Sequence, residues 1–148
     1  MPEAEIRKVG LFTIRENCVL LCRKMHGPLI LPGGKREAGE TSLETLTREL
    51  KEELGAAVTL IEPVPLGVYF DRTVAEPPSV SRTIEIELYG GALQGTPLAS
   101  NEIQTLVWFS AEDSWRTLAP SLSGQIFPDL IRRGLLRWKM PRRTETSR

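Results

Sequence analysis

"GGKREAGETSLETLTRELKEELGA", Gly33 to Ala56, decides how this chain is read. It holds six glutamates, although the 148-residue chain carries no net charge, with 19 Lys plus Arg against 19 Asp plus Glu. Thr41 and Glu44 form a T-x-x-E capping box, so a helix is expected to start near Thr41, with Gly55 just past its end. Leu43, Leu46, Leu50 and Leu54 recur at spacings of 3, 4 and 4, one apolar stripe that has to pack on a sheet.

Glu49, Glu52 and Glu53 stand at i, i+3 and i+4, within a ~100° arc beside that stripe. Like charges on adjacent turns repel by a few tenths of a kcal/mol per pair. They also lie in the C-terminal half of the helix, where the macrodipole disfavours negative charge. Two rules broken at one place mark a functional site. A divalent cation would turn the repulsion into coordination, and oxygen-only ligands select a hard ion, Mg²⁺ or Mn²⁺. A solvated Glu/Lys/Arg face would read the same on the helix alone, since Arg48 and Lys51 partly neutralise the cluster. The segment in front separates the two readings. "LPGGKREAGE", Leu31 to Glu40, is a glycine-rich loop whose amides can face a phosphate with no Cβ in the way. Phosphate beside a hard-cation site points to phosphoryl-group chemistry.

Outward from the helix, strands dominate. Val9–Ile14, Cys18–Met25 and the short Leu29–Leu31 are expected before it. After it come Ala56–Ile61, interrupted by Pro63 and Pro65, then Leu66–Val74 and Ser81–Gly91 around an "AEPPS" loop (Ala75–Ser79), then Ile103–Phe109. Ile84, Ile86 and Leu88 alternate with Glu85, Glu87 and Tyr89, one buried face and one wet face. Ser110 with Asp113 suggests a capped short helix, and a last helix is expected over Phe127–Leu136. Strands and helices do not alternate regularly, which favours an α+β or mixed α/β fold in a single domain over residues 1–148, with flexible ends at about 1–5 and 139–148.

Balanced charge gives no argument for a polyanion-binding or membrane-coating protein. The two cysteines, Cys18 and Cys22, with the single histidine His26, do not make a thiolate–imidazole metal site, and they read as small hydrophobes of a reducing cytosol. "MPEAEIRKVG" lacks the apolar core of a signal peptide, and no apolar run is long enough to span a bilayer, so a cytoplasmic protein is expected.

From Gly34 the residues resemble the Nudix box, G-x5-E-x7-R-E-U-x-E-E-x-G-U, where U is a bulky aliphatic residue. Gly34, Glu40, Arg48-Glu49, Glu52-Glu53 and Gly55 fall at the fixed positions, and only Ala56 is smaller than usual. The box spans 23 of 148 residues, yet seven identities at fixed spacing make it specific. The resemblance implies an αβα sandwich around a mixed β-sheet. It implies metal-dependent hydrolysis of a nucleoside diphosphate linked to another moiety, X. Glu52 and Glu53 would be the principal metal ligands and Glu49 a third ligand or the base. Glu102, in "NEIQTLVWFS", would be a further ligand. Gly33 and Gly34 would supply backbone geometry, Glu40 and Arg48 a structural ion pair, and Arg23 a reach toward substrate phosphate.

Substrate choice is less determined. The proline associated with ADP-ribose hydrolases of the family is missing from the Phe70–Thr73 region, and so is the tyrosine of dinucleoside polyphosphate hydrolases, although Tyr69 lies a few residues early. The array of the NADH hydrolases is also missing. A nucleoside triphosphate or an NDP-sugar remains, with selectivity expected from the "AEPPS" strand pair and from the loop around Ser121–Phe127. Two alternatives stand beside this: a non-catalytic Nudix-type nucleotide sensor, and an RNA 5′-end pyrophosphohydrolase using the basic cluster of Arg132, Arg133, Arg137, Lys139, Arg142 and Arg143. No membrane or nucleic-acid partner is expected, and a homodimer is left open.

Overall fold

The computed structural model describes residues 4–72 and 82–141. The flexible ends expected at 1–5 and 139–148 fall in large part outside that range, as do the "AEPPS" loop and Arg142 and Arg143.

Among the described residues, seven strands and two α-helices follow one another as β1 (Ile6–Phe12), β2 (Ile14–Arg15), β3 (Cys18–Lys24), β4 (Gly33–Lys35), α1 (Ser42–Leu54), β5 (Thr59–Arg72), β6 (Thr83–Gln94), β7 (Ile103–Phe109) and α2 (Phe127–Arg132). One sheet has the order β4-β1-β6-β5, and β1 pairs parallel with β6 but antiparallel with β4. The second sheet is β2-β3-β7, all antiparallel. The segment between β3 and β4 bridges the sheets, with the Leu11 amide donating to the Pro32 carbonyl and Cys22 exchanging both backbone bonds with Ile30.

Period-2 alternation splits the core in two. Val9 and Leu11 of β1 and Leu20 of β3 pack under Leu46, Leu50 and Leu54 of α1. On the opposite face Ile84, Ile86 and Leu88 of β6 meet Phe127 and Leu130 of α2. Helices thus cover both faces, and the expected αβα sandwich around a mixed sheet is the fold observed.

Helix α1 begins as its capping box dictates. Thr41 accepts from the Glu44 amide at 3.1 Å, and Glu44 accepts from the Thr41 amide at 2.8 Å. Leu46, Leu50 and Leu54 are at most 3% exposed, each burial stabilising by roughly 1.5–3 kcal/mol. Leu43 departs from the expected stripe. It sits in the first turn and is exposed.

Other differences have local causes. Gly33–Lys35 is a short strand on β1 rather than loop, while Leu29–Leu31 makes only isolated bridges. Pro63 and Pro65 do not end β5, because it is the edge of its sheet and bulges absorb them between Ile61 and Val64 and between Pro65 and Gly67. Asp113 closes a turn on the Ser110 amide at 2.9 Å, and the helical turn that follows is a short 3₁₀ segment, Trp115–Thr117, capped by Ser114. A π-turn at Leu122–Ile126 leads into α2, which stops at Arg132, before Gly134 with φ +76°.

Candidate active site

Glycine at 33 and 34 follows from how closely β4 approaches its neighbours. Gly33 has φ +137°, and a Cβ there would strike the Val9 carbonyl oxygen. A Cβ at Gly34 would strike the Glu49 carboxylate. The glycines let α1 press its acids directly against the strand.

Glu53 is the acid most affected. It is 2% exposed, and its Oε1 accepts from the Gly33 amide at 2.8 Å. No Lys or Arg of the described residues pairs with it at bonding distance. Burial pushes its carboxyl up to about 7, with Glu49 and Glu102 adding to the effect and the Gly33 N–H and Lys24 opposing it. Glu49 is half-buried and pairs with Arg48 at 2.7 Å. Glu52 faces outward, half exposed, 3.4 Å from the same guanidinium.

Arg48 is the hub of the acidic run. Its Nε and Nη2 donate to the two oxygens of Glu40 at 2.7 and 3.0 Å, and Nη2 also reaches the Lys35 carbonyl at 3.2 Å. The Arg48 fork, helped by the Glu37 amide, holds the Glu40 carboxyl down at about 2. A bidentate pair of this kind fixes orientation as well as charge, and it ties the 35–40 segment to α1.

A cleft of about 450 Å³ opens between the two sheets beside Glu49, while Glu52 and Glu53 are not among the residues that line it. Lys8, Lys24 and Lys35 line it beside Glu49, Glu102 and the two glycines. Ile84, Ile86, Leu122 and Ile126 add apolar lining, and Ser121, Asp71 and Arg72 line it as well. Glu102 pairs with Lys24 at 3.2 Å. Arg23 does not line the cleft. Successive strand residues point to opposite faces, and it is Lys24 that turns inward. Sequence reading missed Lys8 and Lys24. The available signal was Lys8 itself, a charge on the strand face shared by Ile6, Gly10 and Phe12. Cys22 is buried beside Glu53 and its thiol is pushed up to about 12, chiefly by burial.

The profile of the NUDIX domain matches residues 5–130. This chain belongs to the Nudix family. It is a Nudix hydrolase, an enzyme of the pyrophosphohydrolase class, in a family that acts on nucleoside diphosphate derivatives. It is similar to a mutator MutT protein from Bacillus halodurans, with 28% identity, 83% of this chain and 80% of that chain covered, and a TM-score of 0.65. It is similar to the E. coli ORF135 protein, with 29% identity, 84% and 89% covered, and a TM-score of 0.61. The E. coli dihydroneopterin triphosphate pyrophosphohydrolase shares the fold alone, at 15% identity, 90% and 99% covered, and a TM-score of 0.66. No curated protein matches the chain.

Nudix hydrolases generally use divalent cations, and the donors fit one. Glu49, Glu53 and Glu102 offer oxygen only, and Glu53 is a buried acid without a bonded counter-cation. Among the described residues, no three His, Cys, Asp or Glu side chains converge into a ready-made cage. Arg48 and Lys24 hold Glu49, Glu52 and Glu102 instead. No helix among the described residues is long and apolar enough to cross a membrane.

Proposed function

We propose that this Nudix hydrolase cleaves a pyrophosphate linkage in a nucleoside triphosphate or an NDP-sugar, with Mg²⁺ or Mn²⁺ as its cation. The observation that carries the reading is the buried Glu53 carboxylate on the amide of Gly33, a glycine that lines a cleft carrying lysines beside Glu49 and Glu102 and apolar side chains elsewhere. Phosphates belong at the charged end and the nucleoside against Ile84, Ile86 and Leu122.

Glu52 and Glu53 would hold the cation, with Glu49 and Glu102 as further candidates. When bound, such an ion neutralises phosphate charge and acidifies the attacking water. The protein's own residues do the rest. Gly33 and Gly34 let the phosphate chain approach the backbone. Glu49 lies within reach of the glycine strand and is the candidate to take the water's proton. Arg48 orients Glu49 and Glu52 together. Lys24, rather than Arg23, supplies positive charge on the β3 wall.

The sensor reading is weakened by the full set of box acids. The RNA-end reading is weakened because Arg132 and Arg133 are both paired with Asp129, at 3.4 and 3.2 Å. A panel of NTPs, NDP-sugars, ADP-ribose and dinucleoside polyphosphates tests the proposal, with phosphate, pyrophosphate and nucleoside monophosphate as readouts. Turnover of an NTP or NDP-sugar is expected, and Glu52→Gln or Glu53→Gln should lower it by roughly a hundredfold or more. Ligand-induced thermal shift without any turnover would establish the sensor instead.

A further inference from the structure

We propose that Lys8 is the residue that grips the phosphate chain of the substrate. The inference rests on the hydrolase reading above and deepens it.

Lys8 lies in the middle of β1, in register with Lys35 on β4 and with Ile86 on β6. Three strands therefore fix its Cα. Its side chain leaves the sheet on the face of Ile6, Gly10 and Phe12 and enters the cleft. Among the described residues, no hydrogen bond or ion pair holds its ammonium. Lys24, by contrast, is bound to Glu102 at 3.2 Å.

An unpaired, half-buried ammonium is unfavourable. Its neighbours make it more so. Burial, then Lys24 and Lys35, all press against the charged form, while Glu53 and Glu49 support it. The cleft thus gathers cations that repel one another, next to acids that repel one another. A polyanion bridged to a cation relieves both sets together, because phosphate oxygens accept from the lysines and the acids take the metal. A lone acidic substrate group would relieve only one lysine, so the arrangement favours a chain of phosphates. A structural role for Lys8, offsetting the charge of Glu53, makes the opposite demand: its loss would then change stability and leave phosphate binding alone.

The test uses the full chain and two probes, inorganic tripolyphosphate and a non-hydrolysable nucleoside triphosphate bearing an imido bridge, titrated calorimetrically with chelator present and again with Mg²⁺. Lys8→Met should weaken both probes by about tenfold or more, and the loss should shrink for pyrophosphate and further for phosphate. Lys8→Arg should restore most of the affinity, and Lys51→Met, on the outer face of α1, should change nothing. In turnover, Lys8→Met should raise KM more than it lowers kcat. Thermal melting reports whether the fold survives, and Lys8→Gln repeats the comparison if Met destabilises it. Equal binding of tripolyphosphate by wild type and Lys8→Met overturns the proposal, even if the enzyme proves to be an active hydrolase. Absence of turnover in wild type overturns the hydrolase reading instead, and the binding arms still decide the role of Lys8.

Discussion

Glu53 was recognisable as a candidate functional acid from its spacing, but its burial was not drawn from the same wheel. Seven residues separate it from Leu46, which places the two within ~20° of each other around the helix. It therefore lies against the edge of the leucine stripe, beside Leu46, whereas Glu52, ~100° further round, faces solvent. Burial raises the folded-state pKa of Glu53 from the ordinary 4.5 to about 7. Below pH 4.5 both folded and unfolded forms are protonated and the shift has no effect. Between 4.5 and 7 the unfolded chain releases a proton that the folded chain keeps, so stability falls as pH rises, by roughly 3 kcal/mol in all. Glu40 acts in a separate window. Its pKa is depressed to about 2, so its contribution is present above 4.5 and fades only as pH falls toward 2. Melting in chelator from pH 5 to 8 is expected to show a decline in wild type that Glu53→Gln abolishes and that Mg²⁺ flattens. Equal slopes in wild type and Glu53→Gln would mean that the carboxylate is not the burdened group.

Among the elements, α1 was legible because each local rule agreed: cap, apolar period and glycine stop. Removing the cap isolates one of those rules. Thr41→Ala deletes the acceptor for the Glu44 amide and is expected to lower stability by about 1 kcal/mol, read as a shift in the urea midpoint. Activity per folded molecule should change little, since Thr41 lies a turn and more from Glu49. A large loss of activity would show that the start of the helix also sets the position of the acids. The strands were legible in type but not in extent. Pro63 and Pro65 break a ladder only where both edges are paired, and the sequence does not announce that β5 is an edge. The Gly33–Gly34 stretch was read as loop because glycine carries no strand propensity. Its partner Val9–Gly10 lies more than twenty residues earlier, so the pairing is a tertiary fact. Arg23 and Lys24 illustrate the same limit, since the choice of inward residue depends on a register shift between them in the β3–β7 pair.

At the scale of the whole molecule, the cleft depends on the chain returning from its far end. Trp138 is buried against Phe109 and Phe127, with ring centroids 6.0 and 5.5 Å away, and its Nε1 donates to the Asn17 carbonyl at 2.9 Å. That contact joins the C-terminal segment to the β2–β3 turn, 121 residues earlier. Phe127 in turn follows directly on the π-turn that carries Leu122 and Ile126 into the cleft wall. The wall is thus held from behind by an aromatic cluster as well as by its own backbone bonds, such as that from the Leu122 amide to the Ala119 carbonyl at 2.9 Å. Trp138→Ala should cost about 3–5 kcal/mol of stability through the cavity it leaves. Where the fold persists at low temperature, KM for the nucleotide should rise while kcat is largely kept, because Leu122 and Ile126 shift and the acids on α1 do not. Trp138→Phe, which fills most of the space and loses only the bond to Asn17, should fall between the two in stability and keep KM. If Trp138→Ala instead lowers kcat and leaves KM intact, the apolar wall is not where the nucleoside rests, and the two ends of the cleft have been assigned the wrong way round.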